Sequence, residues 1–283
     1  MPELPEVETV RRGLNQVTLS QQIMGGDVLL ERTIAHPLSI AEFLTGIRGC
    51  TITQWHRYGK YLLAELTQHS SLTASGWLGV HLRMTGQLLW LNQDEELHKH
   101  TRVRLFFDKG LELRFVDQRT FGQMWWVPPE NPVERVITGL AKLGLDPFSP
   151  AFSVDYLTQK FKNRQRAIKT ALLDQAMVAG LGNIYADEAL FLSQLRPTTL
   201  CSELRLPQIE KLRRSIIQVL ETSIAAGGTT FSTFLNIQGV NGKYSGIAWV
   251  YNRTGQPCRI CQTPIQRIRL AGRSSHFCPN CQR

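Results

Sequence analysis

Apolar and polar positions alternate over short stretches in the first part of the chain. Residues 52–55, 61–66, 103–107 and 111–116 are rich in β-branched and aromatic side chains and read as half-buried strands. Asp108, Lys109 and Gly110 separate the last two with hairpin-turn chemistry, so roughly the first 125 residues are expected to form an antiparallel sandwich or barrel. The opening MPELPEVETV predicts a helix instead. Glu3, Glu6 and Glu8 suit the positive end of a helix dipole, and Pro5 suits a first turn. VPPENP at 127–132 has the composition of a linker, and beyond it the periodicity turns helical. Residues 166–177 are rich in Ala, Leu and Gln. Ile209, Leu212, Ile216 and Leu220 recur at helical spacing behind Pro207 and stop at Gly227 and Gly228. No internal repeat or low-complexity tract interrupts this order.

Composition narrows the function. A chain of 283 residues that is 42% hydrophobic can bury a large core, and its length points to two domains. The formal net charge of +9 favours a polyanionic partner, nucleic acid first and an anionic membrane surface second. No stretch reaches the ~18 apolar residues of a spanning helix, and the start lacks the pattern of a signal peptide, so a soluble cytoplasmic protein is expected. Of six cysteines, four form two close pairs near the C-terminus while Cys50 and Cys201 stand alone. That distribution predicts a metal site in a reducing compartment rather than a disulfide framework.

Those pairs lie in PCRIC and FCPNC. Cys258 and Cys261 are followed, after sixteen residues, by Cys278 and Cys281 at the same spacing, which suits four thiolates closing one tetrahedral zinc site around a hairpin. A closed site has no position for substrate, so the zinc, one ion per chain, is expected to be structural. His276 is then expected on the surface and not on the metal. The hairpin carries Arg267, Arg269 and Arg273, offered to phosphates or to a DNA groove. LLDQAMVAGLGNIYADEAL, at 172–190, reads as two helical stretches around a turn. Gly180 and Gly182 permit close backbone approach there, and Asn183 heads the second helix, either as its cap or at an anion site. Lys160, Lys162, Arg164, Arg166 and Lys169 precede it and favour phosphate binding. At the other end of the chain, removal of Met1 would leave Pro2 as a secondary amine with a carboxylate beside it.

MPELPEVETVRRGL, HRYGKYLL, HLRMTGQL, DQRTFGQMW, LLDQAMVAGLGNIYADEAL, GGTTF and RSSHFCPNCQ occur in that order. Together they resemble the motifs of the bacterial formamidopyrimidine-DNA glycosylase family, which repairs oxidised purines, and they span nearly the whole chain. The resemblance implies an α+β fold of two domains. An N-terminal antiparallel β-sandwich with an N-terminal helix would occupy 1–127 and a linker 128–150. A helical domain with a helix-two-turn-helix motif would follow at 151–248, then a zinc-finger β-hairpin at 249–283.

The resemblance also implies roles. Pro2 would be the Schiff-base nucleophile, since an amine attacking the sugar C1′ displaces the base and leaves an imine that acidifies C2′. Glu3 would be the proton donor, Glu6 a second carboxylate ordering the terminus, Lys60 the proton donor for β-elimination and Arg273 that for δ-elimination. Met84, Arg119 and Phe121 would fill the hole left by a flipped nucleotide, and His100 and Asn183 would also contact DNA. The expected partner is duplex DNA with oxidised bases or abasic sites, bound by a monomer with no membrane attachment. The resemblance weakens in FSTFLNIQGVNGKYSG, where Ser232 and Thr233 replace the family's basic residue and Asp, so base preference is its least constrained implication. Two alternatives remain open: an endonuclease VIII-like enzyme acting on oxidised pyrimidines, and a non-catalytic protein that only recognises damage.

Overall fold

Leu4 starts helix α1 (Leu4–Val17), and the spacing of Val7, Val10 and Leu14 buries one face of it in the main core. That face lies on the strand β3 (Cys50–Tyr58). Asn15 clamps the backbone of Trp55, accepting from its N–H at 2.8 Å and donating to its carbonyl at 3.2 Å. The Trp55 indole donates to Thr18 Oγ1 at 2.9 Å, which satisfies the one polar atom of a side chain otherwise sealed from water. These contacts fix where the chain terminus emerges. A computed structural model describes residues 1–68, 74–229, 236–240 and 242–283. Ser232 and Thr233, on which the base-preference expectation rests, lie outside them.

The described residues form two compact units, the first comprising Met1–Ala141 with Gly227–Lys243, the second Lys142–Ala226 with Tyr244–Arg283. In the first, β1 (Gly25–Val28), β7 (Thr101–Phe106), β8 (Leu111–Asp117) and β6 (Gly86–Asn92) form a sheet in the order β1-β7-β8-β6. The facing sheet has the order β2-β9-β5-β4-β3, with β2 (Ile34–His36), β4 (Tyr61–Gln68), β5 (Ala74–His81) and β9 (Gln123–Val127). Leu62, Leu66, Leu78 and Val80 from one sheet meet Leu88, Val103, Leu113 and Phe115 from the other, all in one buried cluster. Helix α2 (Ile40–Ile47), capped by Ser39 Oγ, adds Phe43 and Ile47 to it, and α3 (Val133–Val136) follows β9. The expected sandwich is present, with one departure from antiparallel pairing: β2 runs parallel to β9.

The second unit is helical, with α4 (Val154–Phe161), α5 (Ile168–Leu172), α6 (Asn183–Ser193) and α7 (Leu206–Ala225). Residues 166–177 do not form one helix as their composition predicts. The helix ends at Leu172, and Asp174 then accepts the N–H of Ala176 at 3.0 Å in a local side-chain turn that competes with helix continuation. Helices α6 and α7 are tied by the Tyr185 and Ser223 hydroxyls at 2.6 Å, and α7 stops before Gly227, whose φ of 75° suits glycine. Strands β10 (Gln266–Leu270) and β11 (Arg273–Phe277) pair antiparallel around Ala271 and Gly272, both at positive φ. Among the described residues no helix is long and apolar enough to cross a membrane.

Candidate active site

Pro2 and Glu3 lead into α1 and are buried, Glu3 being 3% exposed. The helix includes Pro5 in its first turn, as expected. Glu3 at its N-cap and Glu6 and Glu8 within it nevertheless have three different surroundings. Glu6 Oε2 accepts the Glu3 N–H at 2.8 Å, and Oε1 accepts the Thr229 N–H, also at 2.8 Å. Glu8 lies against three guanidiniums, Arg11 at 2.7 Å, Arg12 at 2.8 Å and Arg57 at 3.1 Å. Burial acts to raise its pKa, but bonds to Arg11 and Arg12 prevail and hold it at about 2, an anchoring role unlike that expected for Glu3. The terminal ammonium, carried by Met1 in this sequence, is pushed below its ordinary value of 8.0. Burial is the main cause, opposed by Glu3 and Glu6 and reinforced by Lys60 and Arg119. Loss of Met1 would move that nitrogen one residue inward, to buried Pro2.

Lys60 occupies the two-residue turn between β3 and β4, behind Gly59 at φ 56°, and is 6% exposed. It therefore sits in a hairpin turn with its side chain inside. The next residue, Tyr61, pairs in register with His81 on β5, and the two rings meet edge-on at 4.5 Å. Burial, then the charges of Arg83 and Lys60, push His81 down to about 3, so its imidazole is neutral at ordinary pH. Its Nδ1 accepts the Arg83 N–H at 3.0 Å, steadying a residue at φ 51° immediately before Met84.

The residues expected to fill the DNA stack lie on two turns of this same unit. Met84 is half-buried in the turn between β5 and β6. Arg119 is exposed between β8 and β9, and its guanidinium lies 5.0 Å from the centre of the Phe121 ring. Phe121 is 52% exposed, so its ring is not part of the core. His100 is partly buried and within 3.2 Å of the Arg102 guanidinium. Desolvation, then Lys99 and Arg102, lower its pKa.

In the second unit Gly182 caps α6 and Asn183 is its first helical residue, so Asn183 is not the cap. Its Oδ1 is buried with no hydrogen-bond partner among the described residues. The basic run before it divides. Lys160 and Lys162 lie on or next to α4, but Lys169 is 1% exposed, pairs with Asp187 at 2.6 Å and donates to the Ser274 carbonyl at 2.6 Å. It holds β11 to α6 rather than facing a phosphate. His276 is likewise not the surface residue expected. It is buried, its N–H and ring Nδ1 both meeting Asp187 Oδ2, at 2.9 and 3.1 Å. Arg267, Arg269 and Arg273 are exposed on the hairpin.

The thiols of Cys258, Cys261, Cys278 and Cys281 have ligand atoms all within 4.8 Å of one another. Burial and the neighbouring thiols push Cys281 up, a conflict that a divalent cation shared by four thiolates removes. Four soft donors in a closed set fit one structural zinc ion. Glu188, fully buried, accepts the N–H groups of Trp249, Val250 and Tyr251 at 2.7 to 2.9 Å and the Tyr244 hydroxyl at 3.2 Å, fixing the chain where it enters this arm.

The sequence expectations did not single out His81, Asp117, Thr229 or Asp187. All four stand inside quoted motifs, His81 in HLRMTGQL, Asp117 in DQRTFGQMW, Thr229 in GGTTF and Asp187 in LLDQAMVAGLGNIYADEAL. Thr229 and Asp187 act through contacts far along the chain, with Glu6 and with Lys169 and His276, and their spacing does not announce those partners.

Three families match consecutive parts of the chain: the formamidopyrimidine-DNA glycosylase N-terminal domain at residues 1–124, the formamidopyrimidine-DNA glycosylase H2TH domain at 143–235, and a zinc finger found in FPG and IleRS at 255–283. A formamidopyrimidine-DNA glycosylase of Nostoc sp. is 72% identical over 282 residues, covering 100% of both chains. A Lactococcus lactis Fpg complexed with DNA containing an abasic site aligns with a TM-score of 0.89 at 33% identity, covering 99% of each chain. A variant of that protein, complexed with DNA containing Fapy-dG, also aligns at 0.89 and 33%, over 100% of each. A sandwich, a helix-two-turn-helix module and a four-cysteine arm in this order define a helix-two-turn-helix DNA glycosylase. The chain belongs to the formamidopyrimidine-DNA glycosylase family.

Proposed function

We propose that this protein excises oxidised purines, 8-oxoguanine and formamidopyrimidines, from duplex DNA and then cleaves the strand at the resulting abasic site, both through a Schiff base on Pro2. The observation that carries the reading is the chain terminus: Pro2 and Glu3 are buried side by side, and burial already disfavours the ammonium that Met1 carries next to them. A neutral amine is the nucleophilic form, and an unperturbed α-amine, with a pKa of about 7.7–8.0, is already nearer to it than lysine at about 10.4.

The amine of processed Pro2 forms a bond to C1′ as the bond from C1′ to the base breaks. The base departs with the bonding pair and takes up a proton, the proline nitrogen gives up its own, and Glu3 donates a proton to the sugar ring oxygen as the ring opens, leaving an iminium ion on Pro2. That charge acidifies C2′; loss of its proton expels the 3′ phosphate, with Lys60 as proton donor in this β-elimination. Loss of the 5′ phosphate by δ-elimination follows, with Arg273 as donor, and hydrolysis of the imine returns the amine. Met84, Arg119 and Phe121 occupy the stack vacated by the flipped nucleotide, the guanidinium facing the orphaned base. His100, Asn183 and the exposed hairpin arginines contact the backbone. One zinc ion on Cys258, Cys261, Cys278 and Cys281 folds the arm and takes no part in the chemistry. The enzyme works as a cytoplasmic monomer on bacterial DNA.

Borohydride reduction with a duplex containing 8-oxoguanine is expected to trap the Met1-processed chain covalently through Pro2. Folded, processed protein that cannot be trapped contradicts the mechanism. Faster excision from a matched duplex carrying an oxidised pyrimidine would favour endonuclease VIII-like specificity. Lesion binding without trapping or cleavage would favour a damage-recognition protein.

A further inference from the structure

The side chains proposed to enter the DNA stack come from two separate turns, and one buried carboxylate joins both. Asp117, the last residue of β8, is 1% exposed. Its Oδ1 accepts the Thr85 hydroxyl, in the turn carrying Met84, and the Arg119 N–H at 3.3 Å. Thr85 Oγ1 in turn accepts the same Arg119 N–H at 3.0 Å, so the two turns meet at a three-centre junction. Asp117 Oδ2 accepts the Gly122 N–H at 2.7 Å, closing the loop that presents Arg119 and Phe121.

The backbone of the same residue reaches the fourth expected DNA ligand of this unit. The Asp117 N–H donates to the His100 carbonyl at 2.9 Å. Its own carbonyl accepts Arg102 Nε at 2.8 Å, and the Arg102 guanidinium lies beside the His100 ring. Two residues earlier on β8, the Phe115 ring lies under both turns. A Cβ would come within 2.4 Å of that ring at Gly122 and 2.9 Å at Gly86, so both turns lie flush on a common floor.

We infer that Asp117 is a positioning residue that sets Met84, Arg119 and Phe121 at one mutual spacing, so that they enter the stack as a single preformed wedge. The inference rests on the wedge role proposed above. Two turns free to move separately would each lose entropy on insertion, whereas turns already joined through a buried carboxylate do not. Hydrogen bonds to a charged acceptor are among the stronger ones in proteins, and a buried carboxylate is costly unless its lone pairs are used. Here three donors use them, and all three belong to the wedge turns.

The test uses full-length zinc-loaded protein and a duplex in which 2-aminopurine neighbours a paired 8-oxoguanine, so that insertion is read as a fluorescence rise. Asp117→Asn places an amide N–H₂ where a donor already points. It is expected to abolish the rise and slow single-turnover excision by about ten- to a hundredfold, the loss of one or two charged hydrogen bonds, while duplex binding persists. Thr85→Ala removes only the partner on the Met84 turn and keeps the scaffold even if Asp117→Asn does not fold. It is expected to give a smaller drop of the same kind, and the double variant less than the product of the two. Met84→Ala and Phe121→Ala separate the two levels of inference. If they leave the rise intact, the wedge reading fails and this inference with it. If they abolish it while Asp117→Asn and Thr85→Ala do not, or if those two changes multiply independently, Asp117 does not position the wedge.

Discussion

Glu6 receives the backbone N–H of Glu3, three residues before it, on one oxygen, while its other oxygen binds Thr229, more than two hundred positions away in sequence. The carboxylate thus fixes the residue beside Pro2 from inside the fold. Glu6→Gln substitutes a donor for one of two acceptors and strands a buried N–H, a cost of roughly 1–3 kcal/mol. Stability measured by urea unfolding is expected to fall by that amount. Borohydride trapping at a preformed abasic site should slow as the terminus loosens, and an unchanged trapping rate would contradict the ordering role.

The pH dependence of trapping follows from the terminal amine. At the Met1 ammonium, burial, Lys60 and Arg119 outweigh Glu3 and Glu6 and disfavour the charged form, and the Pro2 amine exposed by removal of Met1, one residue further in, is expected to be disfavoured in the same direction. The rate of imine formation should rise with pH along an acid limb centred below the value of a free α-amine. Lys60→Met, which removes one of the charges lowering it, should move that limb to higher pH. A limb at or above the free-amine value in the wild type would argue against an activated terminus.

His81 makes a separate prediction about stability. Its folded pKa of about 3 lies below the unfolded value of 6.5, so below 6.5 the unfolded chain binds a proton that the folded one refuses. The contribution of His81 is fully present above 6.5 and is lost as pH falls from there towards 3. Unfolding free energy measured from pH 7 to 4 should decline by up to one proton's worth of slope, about 1.4 kcal/mol per pH unit. His81→Gln should flatten that part of the decline.

Zinc removal is expected to act on the arm and not on the sandwich. Structural zinc supplies about 10–16 kcal/mol of apparent folding energy in isolated fingers. Cys258→Ser should release the ion, measured by metal analysis, disorder β10 and β11, and withdraw Arg267, Arg269 and Arg273 from DNA. Duplex affinity should drop and its salt dependence flatten, each lost phosphate contact removing ~0.9 from the slope of log K against log salt. Arg273→Ala alone should lower that slope by about one while leaving zinc bound.

Much of this was legible in the sequence because its signals are local. The strands at 103–107 and 111–116 appear as β7 and β8, and the DKG turn joins them. The helix behind Pro207 runs to Ala225 as its periodicity requires, and the cysteine spacing places four thiols together. Where local propensity met long-range demand, tertiary structure prevailed. Residues 166–177 are good helix formers, yet Asp174 and Gln175 turn the chain, the Gln175 amide bonding Leu173, Gly180 and Leu181. Lys169 looked like one more cation in a basic run, and His276 like a surface residue. Their partner Asp187 is the reason they are buried, and nothing in the spacing of the three announces it.

The return of Gly227–Lys243 to the first unit also governs how this protein can be cut. Ile237 lies in the main core, its carbonyl accepts the Trp90 N–H at 3.0 Å, and its side chain fills the space against Gly13 of α1. A gene fragment ending at residue 141 would encode every strand of both sheets and still omit a piece of their interior, together with the partner of Glu6. The sandwich unit is therefore contiguous in space but not in the reading frame, and isolating it intact calls for a circular permutation or a grafted 227–243 segment.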